Sequence, residues 1–221
     1  MWMPFTEDDA SGLDGLDGLT DLAGADAEPR SRALAERFEA VAVEEGLADV
    51  TYDFADSPFG ALLVALTRRG LVKLDYPDRD VDRELEAIAA GVSPRIIRSA
   101  RATEAVRRQL EEYFEGKRRT FDVPVELALS SGFARRVLSA AARIPFGSVA
   151  TYREVATRAG NARATRAAGN ALGSNPVPIV VPCHRVVRTG GGLGGYTGGL
   201  ARKMALLRLE GALGPAASSV G

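Results

Sequence analysis

Cys183 and His184 stand side by side, and each is the only residue of its type in the chain. A thiol is a strong nucleophile only as the thiolate, and a neighbouring imidazole is a common group for removing its proton. The apolar run Val177–Val181 precedes the pair and predicts a buried strand or extended segment that holds Cys183 rigidly. The alternative is that Cys183 is a small buried core residue, because free cysteine is among the most buried residue types.

A carboxylate for this pair is available on the last predicted helix, over residues 200–210. Lys203 and Glu210 lie at i and i+7, which places them on one face of that helix. Glu210 orienting His184, with His184 activating Cys183, would form a chain of thiol, imidazole and carboxylate. A cysteine hydrolase uses the same three groups, so they leave the reaction class open.

Two short helices are predicted ahead of the Cys–His pair. A capping box at Thr151 starts the first, which ends near Gly160, and Asn161 is predicted to cap a second over residues 162–172. Short helices joined by a tight turn have the form of a helix-turn-helix. Over residues 164–171 the second helix offers mostly small residues and one long cation, Arg166, which suits close approach to a narrow groove. Tight packing between helices is the alternative explanation for the small residues.

Charge is unevenly distributed along the chain. Residues 121–221 carry 12 Lys and Arg against 4 Asp and Glu, whereas residues 1–50 carry 3 against 13. The basic half suits a phosphate backbone, although a merely solvated basic face is the alternative. The acidic, Gly-rich residues 1–30 predict disorder, followed by a helix over residues 31–46. We expect the acidic stretch to be a passive extension, and competition with DNA is the alternative.

The N-terminal half beyond this extension predicts a small α/β unit. Strand 50–54 is followed by a hairpin of two apolar runs, 61–67 and 71–76, then by a charged turn over 78–82 and a helix over 103–115. Its acidic residues are scattered and form no cluster. We therefore expect this unit to be structural support.

The cysteine count and the absence of targeting signals bound the setting. A single cysteine excludes an internal disulfide and fits a reducing compartment. The sequence shows no signal peptide and no apolar run of the length that spans a bilayer. We expect a cytoplasmic protein.

Several motifs together point to one family. Residues 182–186 read Pro-Cys-His-Arg-Val, and residues 175–178 read Asn-Pro-Val-Pro. These two segments resemble the active-site signature of the O6-alkylguanine-DNA alkyltransferases. The resemblance runs from about residue 49 to 211 and includes further segments: Ile144–Ser148, Thr151–Tyr152, Ala159–Ala167 and Tyr196–Leu200.

The resemblance implies an α+β fold in two parts: an N-terminal ribonuclease-H-like α/β domain followed by a C-terminal winged-helix domain that carries catalysis and DNA binding. We expect the first over residues 49–128 and the second over residues 129–214. Residues 1–48 are then an acidic extension, partly disordered with one helix, and residues 215–221 a disordered tail.

The resemblance also implies a reaction. The family flips an alkylated guanine out of duplex DNA and moves the alkyl group to a cysteine, which keeps it as a thioether. Here Cys183 would attack the alkyl carbon on guanine O6, His184 would take the thiol proton through a water, and Glu210 would hold the imidazole. Three residues would assist the departing guanine or tie down the reactive turn: Tyr152, Lys203 and Asn175. Each molecule would act once, with no metal and no organic cofactor.

The remaining site residues follow from the same resemblance. The substrate pocket would be lined by Tyr196, Thr197, Gly198 and Val186. Arg166 would fill the gap left by the flipped base, and further contacts to the minor groove of the duplex would come from Ala164, Thr165, Ala167, Ala168, Gly169 and Arg185. We expect a monomer with no membrane contact, and cooperative binding along DNA stays open.

Gly195 departs from the family pattern, since asparagine often precedes the pocket tyrosine, and Val137 and Leu138 are aliphatic where a bulky aromatic is usual. The range of accepted alkyl groups, and O4-alkylthymine as a second substrate, therefore stay open. A protein that binds alkylated DNA without repairing it is the alternative function. A related non-enzymatic class has tryptophan at the cysteine position, so Cys183 argues against that alternative.

Overall fold

A computed structural model of the chain describes residues 27–76, 80–130 and 132–213. The chain divides into two compact units, Met1–Glu45 and Gly46–Gly221. In the first unit the described residues form one helix, α1 (Ala27–Glu44), which confirms the helix predicted over residues 31–46. Disorder was predicted over residues 1–30, and this is wrong for residues 27–30, which belong to α1. The rest of that stretch, residues 215–221 and part of the charged turn over 78–82 lie outside the described residues.

The second unit begins with a four-stranded sheet made of β1 (Val50–Ala55), β2 (Leu62–Thr67), β3 (Gly70–Asp75) and β4 (Ile96–Arg98). The strand order is β3-β2-β1-β4. β2 is antiparallel to both of its neighbours, whereas β1 pairs in parallel with β4. The structure thus confirms the hairpin that the two apolar runs predict.

Two helices cover opposite faces of this sheet, α2 (Val81–Gly91) and α3 (Ala100–Phe114). Ile88 of α2 packs with Ala65 and its neighbours, and Leu110 of α3 packs with Val64 and its neighbours, because successive side chains of a strand point to opposite faces. The sequence predicts α3 but not α2. The side chain of Asp80 accepts hydrogen bonds from two backbone N–H groups at the start of α2, so the charged run around it contains a helix N-cap.

Over residues 132–213, the described C-terminal part has four α-helices and a short parallel pair of strands. The helices are α4 (Gly132–Ala141), α5 (Tyr152–Arg158), α6 (Thr165–Gly173) and α7 (Leu200–Leu209). The paired strands are β5 (Ala150–Thr151) and β6 (Val186–Val187), with a 3-10 turn (Cys183–Arg185) immediately before β6. The capping box at Thr151 is present, as predicted.

The second helix of the predicted helix-turn-helix begins later than expected. The prediction starts it at residue 162 with Asn161 as cap, but α6 begins at Thr165 and its N-cap, Ala164, makes no side-chain capping bond. The Asn161 Oδ1 instead accepts a hydrogen bond from the Arg163 N–H, at 3.1 Å. Asn161 therefore stabilises a turn ahead of the helix.

The sheet and the C-terminal part share one hydrophobic core. Buried residues of β2, β3 and α3 belong to the same cluster as buried residues of α4, α6 and the segment before Cys183. The edge strand β3 is also paired: the Leu74 N–H donates to the Pro176 carbonyl and the Leu71 N–H to the Pro124 carbonyl, both at 2.8 Å. Gly70 permits this approach, since a Cβ there would lie 2.1 Å from the Pro124 oxygen.

Within the described part of the chain, no helix has the length and apolar character needed to cross a membrane.

Candidate active site

Cys183 opens the 3-10 turn and is 94% removed from solvent, with a relative exposure of 6%. Asn175 holds the turn in place. Its Nδ2 donates to the Cys183 Sγ at 3.1 Å and to the Val181 carbonyl at 2.8 Å, while its Oδ1 accepts from the Val177 N–H at 3.1 Å. One amide thus fixes both ends of the segment that presents the thiol.

The segment Val177–Val181 is buried, but the prediction of a strand there is wrong. It forms consecutive turns, with the Val181 N–H donating to the Val177 carbonyl at 2.9 Å. Pro176 and Pro178 lack N–H donors, so the segment cannot form a regular ladder. Ile179 has a φ of 73°, which is strained for a β-branched residue, and its side chain is fully enclosed by the core.

The carboxylate of Glu210, the residue that ends α7, lies against His184 as predicted from the sequence. The His184 Nε2 donates to the Glu210 Oε1 at 2.9 Å, and both side chains are buried. This contact assigns the hydrogen to Nε2 and leaves the Nδ1 lone pair as the acceptor of the ring. Among the described residues, Nδ1 has no hydrogen-bond partner.

Arg185 was expected to contact DNA, and the structure contradicts this. Its side chain is 92% buried and forms a bidentate ion pair with Glu210, from Nε to Oε2 and from Nη2 to Oε1, each 2.8 Å. Its Nη1 donates to the Ile144 carbonyl at 2.6 Å. The guanidinium is therefore buried and paired with a protein carboxylate, as a buried carboxylate requires, rather than presented to solvent where a phosphate would lie.

The pKa shifts of Cys183 and His184 keep the thiol protonated at rest and the imidazole able to accept its proton. Burial raises the pKa of Cys183 to about 11, although the Asn175 amide and the Lys203 charge oppose the shift. Burial also lowers the pKa of His184, although Glu210 opposes it. At neutral pH the thiol is therefore protonated and the imidazole is neutral, so the imidazole is able to accept the thiol proton.

Lys203 is fully buried on α7. Its Nζ donates to the Val186 carbonyl at 2.6 Å and to the Leu193 carbonyl at 2.5 Å. Burial lowers the pKa of Lys203 to about 8, against the attraction of Cys183. Val186, predicted to line the pocket, presents this carbonyl to Lys203, and its side chain is buried in the core.

A cleft of ≈ 600 Å³ opens directly onto Cys183. Along one wall the Tyr152 Oη donates to the Gly195 carbonyl at 3.2 Å, and the Thr197 Oγ1 donates to the Gly173 carbonyl. The cleft is lined by Tyr152, Thr165, Arg166, Gly169, Asn170, Leu172, Gly173, Cys183, Arg188, Gly195, Tyr196 and Thr197. It thus brings the predicted nucleophile, phenol and pocket residues together beside the exposed side of α6.

Gly198 lies outside this cleft and lines a second cavity of ≈ 430 Å³ that also reaches Cys183. A Cβ on Gly198 would lie 2.6 Å from the Tyr76 ring and 2.8 Å from the Tyr196 ring. The hydroxyls of these two tyrosines are 2.6 Å apart. Gly198 therefore allows Tyr76, at the end of β3, to pack against a wall of the pocket.

Helix α6 presents most of its predicted DNA-facing residues, with one exception. Arg166 and Ala167 are exposed, and Ala164, Thr165 and Gly169 are half-buried. Ala168 has no exposure and packs in the core, so it was wrongly expected to contact DNA. The inner side of α6 packs tightly through small residues such as Ala168 and Ala171, which was the alternative explanation for them. Close approach of the outer side to a groove stays a prediction.

Sequence reasoning missed Tyr113 and Arg188. The Tyr113 hydroxyl donates to the Glu210 Oε1 at 2.7 Å from within α3, and Arg188 lines the cleft. The helical spacing of Tyr113 with Val106 and Leu110 predicts a core residue, which is correct for the ring. The residue type gave the one indication of a polar role for Tyr113, because a buried tyrosine hydroxyl normally finds a hydrogen-bond partner.

Comparisons with known proteins agree with this combination of a winged-helix surface and a buried nucleophile. A model of the 6-O-methylguanine DNA methyltransferase ribonuclease-like domain matches residues 50–127, and a model of the DNA-binding domain of the same proteins matches residues 132–212. The fold and the site thus define a DNA-binding protein built around a reactive cysteine.

Individual relatives make the assignment specific. The chain is 38% identical to the methylated-DNA–protein-cysteine methyltransferase of Methanosarcina barkeri, over 72% of this chain and 96% of that protein. It is 41% identical to the protein of that name from Mycolicibacterium paratuberculosis, over 73% and 92%. The structure of Mycobacterium tuberculosis OGT in complex with DNA matches with a TM-score of 0.64 and 36% identity, over 75% and 96%. The chain therefore belongs to the methylated-DNA–protein-cysteine methyltransferase family.

Proposed function

We propose that this protein repairs DNA by direct reversal, moving an alkyl group from O6 of guanine in duplex DNA to the sulfur of Cys183. The observation that carries the proposal is the position of Cys183 at the base of a cleft whose rim includes Arg166 of α6. The names of the relatives support methyl transfer from DNA to a protein cysteine. They do not favour the alternative of a protein that binds alkylated DNA without repairing it.

The transfer follows from the protonation states of the site. The neutral imidazole of His184 takes the proton of the Cys183 thiol at Nδ1, through a water, while Glu210 stabilises the cation that forms. The sulfur then attacks the alkyl carbon, so that a C–S bond forms as the bond from carbon to O6 breaks. The electron pair of that bond stays on the guanine.

The departing guanine needs stabilisation as it becomes negative. In the proposed step the Tyr152 hydroxyl, which lines the cleft, donates its proton to the guanine, and Lys203 supplies positive charge that acts on Cys183. Proton return from His184 to Tyr152 restores both groups. The thioether is stable, so each molecule acts once. The reaction as proposed uses no metal and no cofactor, because the thiol is both nucleophile and final acceptor.

DNA binding in this proposal uses α6 in the minor groove. The half-buried Gly169 and exposed Ala167 allow close approach of backbone to the duplex, and Arg166 replaces the flipped base in the stack. We place the protein in the cytoplasm as a monomer, associated with the nucleoid when bound to DNA. The proposal includes O4-alkylthymine as a second substrate of the same pocket.

The test uses a duplex with one O6-methylguanine whose methyl group is radiolabelled. The wild-type protein should acquire label stoichiometrically, and Cys183→Ser should acquire none while its affinity for the duplex stays within about two-fold, since the buried thiol contributes little to the surface that meets DNA. Label on the Cys183→Ser protein would overturn the assignment of the acceptor.

A further inference from the structure

Tyr113 connects the N-terminal part of the fold to the candidate catalytic groups. It lies on α3, inside the segment matched by the ribonuclease-like model, yet its hydroxyl donates to the Glu210 Oε1 at 2.7 Å. The ring has no solvent exposure and contacts Phe121 and Phe146, with ring centroids 5.4 and 6.2 Å away. Packing thus fixes the position of the ring, and the fixed ring directs its hydroxyl at the Glu210 carboxylate.

Four hydrogen bonds reach the carboxylate of Glu210, and three of them go to one oxygen. Oε1 accepts from Tyr113, from the His184 Nε2 and from the Arg185 Nη2, and Oε2 accepts from the Arg185 Nε. Each oxygen of an ionised carboxylate offers about two lone-pair sites, so the three donors on Oε1 compete for the charge of that oxygen. Each donor disperses part of the negative charge on the oxygen that it contacts. The hydrogen bond from Tyr113 therefore reduces the negative charge that Oε1 presents to His184.

We infer that Tyr113 is a positioning residue for alkyl transfer, which holds the Glu210 carboxylate and limits the negative charge that Glu210 presents to the catalytic imidazole. The inference rests on the proposed function. It assigns to the N-terminal part a direct contact with the reaction machinery, where the sequence predicts structural support alone.

The consequence is a base that stays unprotonated. His184 faces Glu210, Arg185, Lys203 and the ring of Tyr196, and it follows Cys183 in the chain. Of these groups only ionised Glu210 favours the imidazolium at neutral pH. If Tyr113 no longer donates to Oε1, the charge on that oxygen is less dispersed, and the imidazolium becomes more stable. A larger fraction of His184 is then protonated at Nδ1 and unable to accept the thiol proton.

The experiment compares Tyr113→Phe with the wild type in single-turnover methyl transfer from an O6-methylguanine duplex between pH 5 and 9. Phe preserves the packed ring and removes only the donor. We expect the acidic limb of the pH–rate profile to move up by about half a unit to one unit. On that limb the rate should fall about three- to ten-fold, while the rate above the limb changes less than about two-fold. Tyr52→Phe, on β1, is the matched control and should retain the wild-type profile.

A second measurement is independent of activity. His184 is the only histidine, so its ring resonances report its protonation without overlap in untagged protein. Tyr113→Phe should shift this titration upward by the same amount as the rate limb. Unmoved resonances and an unmoved limb would overturn the inference. An equal loss of rate at every pH would overturn it too, because it would indicate a structural defect. If the wild-type protein itself acquires no methyl group, the proposed function fails instead.

Discussion

At the scale of single residues, the site combines a thiol that is hard to ionise with an imidazole that is hard to protonate. Burial causes both effects: it raises the pKa of Cys183 to about 11 and lowers that of His184. The pair is thus inert until a substrate brings the alkyl carbon close enough to couple proton removal with attack. The pairing of the two residues is visible in the sequence, but their burial is not.

Glu210 makes a stability prediction at this scale. Burial alone would raise its pKa, but hydrogen bonds from His184 and Arg185 outweigh burial and lower it to about 2, against 4.5 ordinarily. Because the folded value lies below the unfolded one, the contribution of the charge is fully present above pH 4.5 and is lost as the pH falls toward 2. Glu210→Gln should therefore cost about 3–5 kcal/mol in free energy of unfolding at pH 7.

Urea denaturation at pH 7 and pH 3.5 checks this prediction. The difference in stability between wild type and Glu210→Gln should shrink at the lower pH. Glu104→Gln, an exposed glutamate on α3, should stay within about 0.5 kcal/mol of the wild type at both values. A difference for Glu210→Gln that stays constant or grows in acid would contradict the assigned pKa direction.

At the scale of elements, the glycine-rich segment between β6 and α7 shapes the cleft. Gly194 has a φ of 69°, and a Cβ there would lie 2.7 Å from the Tyr152 hydroxyl oxygen. Nothing lies within 4 Å of a Cβ built on Gly195, a position that departs from the family pattern. The two adjacent glycines thus differ in the space available for a side chain. A side chain at position 194 would collide with Tyr152, whereas one at position 195 would not.

Gly194→Ala should slow methyl transfer about ten-fold or more, because it strains the backbone and displaces the phenol from the leaving guanine. Gly192→Ala, in the same segment but not among the residues that line the cleft, should stay within about two-fold of the wild type and serves as the control, since a Cβ there would make only ordinary contacts with Arg188 at 3.7 Å. Single-turnover rates on the same duplex give the comparison. Equal rates for the two variants would remove Tyr152 from the proposed proton path.

Arg166 on α6 tests the base-replacement role. Arg166→Ala should slow transfer from the duplex about ten-fold or more, since an empty gap in the stack makes flipping costlier by a few kcal/mol. Transfer from free O6-methylguanine base should change little. Arg163→Ala removes the same charge from the turn before α6 and controls for general electrostatics. The role is excluded if Arg166→Ala loses equally on both substrates.

The sequence predicts some helices and strands of the fold well and others poorly. Amphipathic spacing and the Thr151 capping box predict α3, α5 and α7 to within a few residues, because local sequence determines them. The turns of Val177–Val181 were mistaken for a strand, since buried apolar runs look alike whether they are extended or turning. The pair β5–β6 was missed, because it is two residues long and joins segments far apart in the chain.

At the scale of the whole molecule, the N-terminal and C-terminal parts are joined through the site. β3 bonds to Pro176 ahead of the thiol, Tyr76 meets Tyr196 in the pocket wall, and Tyr113 reaches Glu210. The sequence predicts the order of the two parts and, by resemblance, their fold. It does not predict these contacts, because each joins residues whose patterns mark them only as core or loop.

The central claim is that one alkyl group moves from DNA to Cys183. The most direct measurement is the intact mass of the protein after incubation with a duplex that carries one O6-methylguanine, followed by peptide mapping. The account predicts a stoichiometric gain of about 14 Da, located on the peptide that contains Cys183, and no further gain with excess duplex. An unchanged mass in a folded protein that still binds the duplex would contradict it, and would point to a lesion-binding protein without repair activity.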